Sequence, residues 1–88
     1  MKLIIAIIRD EDNNRVSNKL IDDGFRVTQI ASTGGFLRSG RSTLLIGVTE
    51  DQLEAALQVL RTECTPAKNE EEKKATVFVL DVQDFVQL

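Results

Sequence analysis

An unbroken apolar run, LIIAII at residues 3–8, is the feature that most restricts how this chain can fold. The run is short and rich in β-branched side chains, which is typical of a strand covered on both faces. A similar run, ATVFVLDV at residues 75–82, lies near the C-terminus. Because a chain of 88 residues has room for one domain with one modest core, both strands are expected in one sheet.

The segment after the first run has the pattern of a helix. Val16, Leu20 and Ile21 recur at helical spacing, and the polar residues before them include good helix N-caps. Gly24 follows at the point where a glycine often ends a helix. The sequence therefore predicts a first helix over residues 12–23.

The middle of the chain predicts two strands and a second helix. Alternating side chains indicate a strand over residues 25–32, and a third strand follows over residues 42–48. Thr49 and Gln52 have the spacing of a capping box, which marks the start of the second helix. Pro66 prevents that helix from continuing.

The element order is therefore βαββαβ. Two right-handed crossovers into one antiparallel sheet give a ferredoxin-like α+β sandwich with both helices on one face, formed by a single domain over residues 1–88. The first and last strands are largely apolar on both faces, whereas one helix layer covers one face. We therefore expect the chain to form an oligomer through the open face of its sheet.

Composition excludes several classes of function. The net charge is −3, from 11 basic and 14 acidic residues, which argues against nucleic-acid binding as the main activity. The chain has no histidine and one cysteine, Cys64, so a zinc site is not expected, and the unpaired thiol fits a reducing cytosol. Residues 3–8 are too few for a signal peptide or a membrane span. We predict a cytoplasmic protein without a metal, a cofactor or a membrane partner.

The connection between the second and third strands, TGGFLRSGR at residues 33–41, carries the strongest functional signal. Its adjacent glycines can present backbone N–H groups to an anion, and its arginines, Arg41 among them, add positive charge. Phe36 and Leu37 are apolar side chains in a loop. Together these groups suit a ligand with a phosphate and a flat base. The alternative is that Phe36 and Leu37 fold under their own loop and cap the sheet.

Strand two adds two candidates to this site. Arg26 and Thr28 share one face of the strand just before the loop, although an exposed strand edge would also explain them. The chain contains neither a dinucleotide-binding fingerprint nor a P-loop, and no nucleophile near the loop is paired with an evident base. We therefore predict a binding protein and not an enzyme.

Residues 1–48 resemble the start of the PII-like cyclic di-AMP receptors of Gram-positive bacteria, most specifically in FRVTQIASTGGFLRSG. The likeness resumes in the second helix and at ATVFVL. It implies a PII-type homotrimer with nucleotide-binding clefts between neighbouring subunits. It also implies that the adenine packs against the loop phenylalanine, which is Phe36 here.

The resemblance implies further ligand contacts from Arg26 and Thr28, from the backbone at Gly35, Phe36, Leu37 and Gly47, and from Gln87. The chain departs from the family pattern at two points. Arg41 stands where family members usually have an asparagine that contacts the ligand. Their long loop between the second helix and the last strand is also reduced here to TPAKNEEEKK.

The function that the resemblance implies is signal transduction. The chain would bind cyclic di-AMP and relay that state to a partner protein whose identity the sequence does not reveal. One alternative is a trimeric adaptor that has lost nucleotide binding together with the long loop. Another is a relative that binds a different nucleotide, such as ATP or ADP, with Arg41 as the discriminating residue.

Overall fold

The computed structural model describes residues 1–30, 40–66 and 73–88. The elements follow the predicted order, with β1 (Lys2–Arg9), α1 (Asp10–Asp22), β2 (Arg26–Ile30), β3 (Arg41–Val48), α2 (Glu50–Glu63) and β4 (Ala75–Asp81). The strands form one antiparallel sheet in the order β2-β3-β1-β4. The predicted ferredoxin-like α+β fold is confirmed.

Helix α1 begins at Asp10, two residues before the predicted start. The cause lies in the acidic residues at the start of the helix, two of which the prediction left outside it. Asp10, Glu11 and Asp12 form the first turn, where negative charge is favoured by the unpaired N–H groups of the helix N-terminus. The polar segment after β1 is therefore part of the helix.

Gly24 ends helix α1 as the sequence predicts. It has a φ of +91°, which is a left-handed conformation that glycine adopts at little cost. Its N–H donates to Ile21 O at 2.9 Å, and the Phe25 N–H donates to Leu20 O at 2.9 Å. These two bonds make a Schellman motif, which turns the chain so that Phe25 enters the core.

The remaining boundaries agree closely with the predictions. Strand β2 covers Arg26–Ile30, and the predicted extension to residue 32 lies outside the described residues. The capping box of α2 is present, since the Thr49 N–H donates to the Gln52 side-chain oxygen at 3.2 Å. Helix α2 ends at Glu63, ahead of Pro66.

The core lies between the sheet and the two helices. Every second residue of the central strands faces the helices, and these strand residues meet apolar side chains of α1 and α2. The most buried apolar residues of these strands and helices are at most 3% exposed: Ile4, Ala6, Ile8, Leu44, Ile46, Val48, Val16, Leu20, Ala56 and Leu60. One face of the sheet is thus the closed, helix-covered face.

The opposite side, which we call the open face, carries the alternate residues of each strand. One row across the sheet is Arg26, Gly47, Leu3 and Leu80, and the next is Thr28, Leu45, Ile5 and Phe78. Phe78 is 52% and Leu80 is 46% exposed. The open face is therefore apolar toward β4 and polar at β2. Association through this face stays a prediction.

Asp12 ties the start of α1 to the residues after α2. The side chain is 1% exposed and accepts hydrogen bonds from the Thr65 N–H at 3.0 Å and from the Arg15 guanidinium at 2.8 Å. The Thr65 hydroxyl also donates to it, and Arg9 donates to Thr65 O at 3.0 Å. Burial acts to raise the pKa of Asp12, whereas the Thr65 hydrogen bonds and the charges of Arg15 and Arg9 act to lower it. The second effect is larger, so the pKa of Asp12 lies below the ordinary value for an aspartate.

Cys64 lies beside this cluster and fills space in the core. It is 3% exposed, and burial raises the pKa of its thiol. Within residues 1–30, 40–66 and 73–88, no group of three or more His, Cys, Asp or Glu side chains could hold a metal ion. Neither helix in these ranges is long and apolar enough to cross a membrane.

Asp12→Ala is expected to lower the free energy of unfolding by about 1–3 kcal/mol, because it removes a buried carboxylate and leaves the half-buried Thr65 N–H and hydroxyl without their acceptor. Urea unfolding at one fixed protein concentration measures the change. The matched control is Asp22→Ala, an exposed carboxylate on the same helix, which should change stability by no more than about 0.5 kcal/mol.

The loss of stability in Asp12→Ala should also depend on pH. Because the pKa of Asp12 is lowered in the folded protein, its contribution is present above the ordinary aspartate pKa of about 3.9. That contribution disappears as the pH falls through the lowered value. The stability difference between the wild type and Asp12→Ala should therefore shrink from about pH 7 to about pH 3, and a constant difference would contradict this account.

Candidate functional site

A cleft of about 570 Å³ opens on the open face of the sheet. Its volume lies within the range of small-molecule sites, roughly 300–1,000 Å³. The floor includes Leu3 of β1 together with Leu45 and Gly47 of β3. The cleft is thus built on the two central strands, each of which pairs with a neighbouring strand on both sides.

Arg26 and Thr28 form the polar side of the cleft. Strand pairing places Arg26 opposite Gly47 and Thr28 opposite Leu45. The Cα atoms of such directly opposite residues are about 5 Å apart. Both polar side chains are exposed and lie on the same face of β2. A guanidinium and a hydroxyl therefore stand next to an apolar floor.

Gly47 leaves room at the floor of the cleft. A Cβ atom at this position would lie 3.0 Å from the Cε atom of Met1, which is closer than ordinary van der Waals contact. Met1 also lines the cleft. The absence of a side chain at Gly47 thus lets the end of the Met1 side chain lie close to β3.

The C-terminal tail, residues 82–88, supplies the other wall. Its first N–H, that of Val82, donates to Met1 O at 3.0 Å and extends the pairing of β4 with β1 by one step. Val82, Phe85 and Gln87 all line the cleft. The tail thus lies on the same side of the sheet as Arg26.

An exposed ion-pair cluster lies at the margin of the cleft. The Lys2 ammonium hydrogen-bonds to Asp81 and lies 3.6 Å from a carboxylate oxygen of Glu50. The Asp81 hydrogen bond raises the pKa of Lys2, and the same bond lowers the pKa of Asp81. These charges link the start of β1, the end of β4 and the first turn of α2.

The structure brings four of the predicted site residues into this one cleft: Arg26, Thr28, Gly47 and Gln87. Arg41 is not among the lining residues. It lies six residues before Gly47 on β3, which is about 20 Å along a strand, and its guanidinium donates to Lys73 O at 3.3 Å. Gly35, Phe36 and Leu37 lie outside the described residues, so their ligand contacts remain predictions, as does that of Arg41.

Sequence reasoning missed the apolar lining of the cleft. Leu3 and Leu45 alternate with core residues of their strands, so the two-residue period of a strand could have placed them on the open face. Phe85 stands two residues before Gln87, and in an extended tail this spacing puts both side chains on one side. That spacing was the available signal for Phe85.

Comparison with known proteins bears on the family and the fold of this chain. The family model described as cyclic-di-AMP receptor matches residues 1–71. The fold is also similar to the crystal structure of a functionally unknown protein from Pediococcus pentosaceus, with a TM-score of 0.78 and 35% sequence identity over 99% of this chain and 96% of that chain. The match to the family model covers most of the sequence, including β1, β2, β3 and both helices. The chain belongs to the cyclic-di-AMP receptor family.

Proposed function

We propose that this protein is a cytoplasmic receptor that binds cyclic di-AMP in the cleft on the open face and relays its ligand state to another protein. One observation carries the proposal. Arg26 and Thr28 of β2, Gly47 of β3 and Gln87 of the tail come from three separate segments of the sequence, yet they line one cleft in a chain of the cyclic-di-AMP receptor family.

The chemistry of the cleft suits this ligand. Cyclic di-AMP carries two phosphodiester anions, which accept hydrogen bonds, and Arg26 and Thr28 offer the matching donors. Each adenine has apolar faces and an edge with both donors and acceptors. Leu3 and Leu45 provide apolar surface, and the Gln87 amide can donate and accept at a base edge. The cleft therefore offers partners to both parts of the nucleotide.

The remaining parts of the proposal concern assembly. Half-exposed Phe78 and Leu80 continue the open face beyond the cleft, and a second subunit would cover them. We propose a homotrimer in which each cleft lies between neighbouring subunits and the loop residues Gly35, Phe36 and Leu37 complete it. Ligand binding would then order the surface around the cleft, which a partner protein could detect.

The proposed role is binding and not catalysis. Ser42 is the described hydroxyl nearest to the loop, and its side chain donates a hydrogen bond to Asp10. Ser42 is 2% exposed, so a substrate in solution cannot reach it. Its contact with Asp10 joins the start of β3 to the first turn of α1.

Arg26→Ala is expected to weaken cyclic di-AMP binding at least tenfold, because a hydrogen bond from a charged donor contributes about 1.5–3 kcal/mol. Isothermal titration calorimetry measures the dissociation constant. The matched control is Arg61→Ala, which removes an exposed arginine of α2 that pairs with Glu54 and should leave the affinity unchanged.

The same titration separates the alternatives. Absence of heat from the wild type, with the oligomer intact, would contradict the receptor role and favour an adaptor without a nucleotide. Heat with ATP or ADP but none with cyclic di-AMP would favour a different nucleotide. Equal losses in Arg26→Ala and Arg61→Ala would show that Arg26 has no particular contact with the ligand.

Gly47→Ala is expected to weaken cyclic di-AMP binding while the fold stays intact. The new methyl group would meet the end of the Met1 side chain at 3.0 Å, and that flexible end would move into the cleft. Calorimetry and thermal unfolding together test this. An affinity equal to that of the wild type would mean that the ligand does not approach this part of the floor.

Arg41→Asn is expected to reduce cyclic di-AMP affinity less than Arg26→Ala does, because Arg41 lies at the other end of β3 and contacts Lys73 O. Titration of both variants with cyclic di-AMP and with ATP provides the comparison. A larger loss in Arg41→Asn, or a change in nucleotide preference, would instead place Arg41 against the ligand.

A further inference from the structure

Phe85 is an aromatic side chain with no place in the core. It is 59% exposed, although it lines the cleft, whereas the next residue, Val86, is 71% exposed and is not part of the lining. The core cluster does not include Phe85. An aromatic ring that faces a cleft without being buried has much of its apolar surface available to a ligand.

The path of the tail explains how Phe85 reaches the cleft. Strand β4 is at one edge of the sheet and β2 is at the other, so the tail and Arg26 start about 14 Å apart, which is three strand spacings. Residues 83–88 can span up to about 20 Å when extended. The tail is therefore long enough to form a wall over the open face, and its anchor is the bond from the Val82 N–H to Met1 O.

The two walls of the cleft differ in chemistry. The β2 side carries a cation and a hydroxyl from Arg26 and Thr28, which suit a phosphate. The tail side carries the Phe85 ring and the Gln87 amide, which suit the face and the edge of a base. This division would orient a nucleotide with its phosphate toward β2 and its base toward the tail.

We propose that Phe85 stacks on a purine base of the bound nucleotide and thereby makes the C-terminal tail the base-binding wall of the cleft. This inference rests on the proposed function and adds a specific contact to it. Stacking on an aromatic side chain is favourable for every base, because each base has a π face. Selectivity between bases then depends on polar contacts to the base edge, for which Gln87 is in position.

Substitutions at Phe85 test the contact by calorimetry with cyclic di-AMP. Phe85→Ala should weaken binding about tenfold or more, and Phe85→Leu should lie between Phe85→Ala and the wild type, since leucine keeps apolar area without a ring. Val86→Ala is the matched control and should bind like the wild type. Because Phe85 is outside the core, the thermal midpoint without ligand should be nearly the same in all of these proteins.

A fluorescent variant gives a readout that a purely structural role would not change. The chain has no tryptophan and no tyrosine, so Phe85→Trp introduces a single indole whose emission reports on its own surroundings. A base stacked on that indole should quench its emission, with the same dissociation constant that calorimetry gives. The control, Val86→Trp, should show no such quenching.

The outcomes distinguish this inference from the proposed function. If the wild type binds cyclic di-AMP and Phe85→Ala binds as tightly, the stacking contact is overturned while the receptor role stands. Unchanged Phe85→Trp emission during binding that calorimetry detects would overturn the contact as well. If the wild type does not bind cyclic di-AMP, the proposed function and this inference are both overturned.

Discussion

The sheet of this protein has apolar residues on both faces, and the two helices pack against one of them. Strict alternation along β1 and β3 separates the two sets of side chains: Ile4 and Ile46 face the helices, and Leu3 and Leu45 face the other side. The helix side makes a compact core. The open side keeps apolar residues accessible, and the cleft forms there.

The position of the cleft follows from where polar residues interrupt the open face. Strand β2 contributes Arg26 and Thr28 at one edge, and Gly47 removes a side chain from the row that contains Arg26. The ion pairs of Lys2 with Asp81 and Glu50 connect the neighbouring strand and helix ends at the surface. The polar side and the apolar floor of the cleft are thus held by strands β2, β1 and β3, whereas the tail wall lies beyond the last strand.

Buried polar contacts fix the other end of the domain. Asp12 and Arg9 join the start of α1 to Thr65, just after α2. The lowered pKa of Asp12 shows that its negative charge is favoured there. The connection that follows residue 66 therefore leaves from a fixed point, although residues 67–72 lie outside the described part of the chain.

Local patterns in the sequence were sufficient to predict the element order. Gly24 and the Thr49–Gln52 capping box mark helix ends through contacts only a few residues away, and both were correctly interpreted. The shared face of Arg26 and Thr28 likewise follows from the period of a strand. The start of α1 was misplaced because acidic residues are typical both of a polar turn and of a first helical turn.

Features that depend on long-range contacts were beyond such patterns. The Asp12–Thr65 hydrogen bonds join residues 53 positions apart, and nothing local in either segment indicates them. The spacing of Phe85 and Gln87 puts their side chains on one side of an extended tail, but the surface that this side faces depends on the bond between Val82 and Met1. Gln87 was included through the family resemblance and not through any pattern in the tail.

The proposed nucleotide site is the open face between Arg26 and the C-terminal tail. A crystal structure of the protein with cyclic di-AMP would locate the ligand. We expect a phosphate beside Arg26 and Thr28, and a purine between the floor of the cleft and Phe85. Density for the nucleotide at the Arg41 end of β3, with the cleft between Arg26 and Gln87 unoccupied, would contradict this placement.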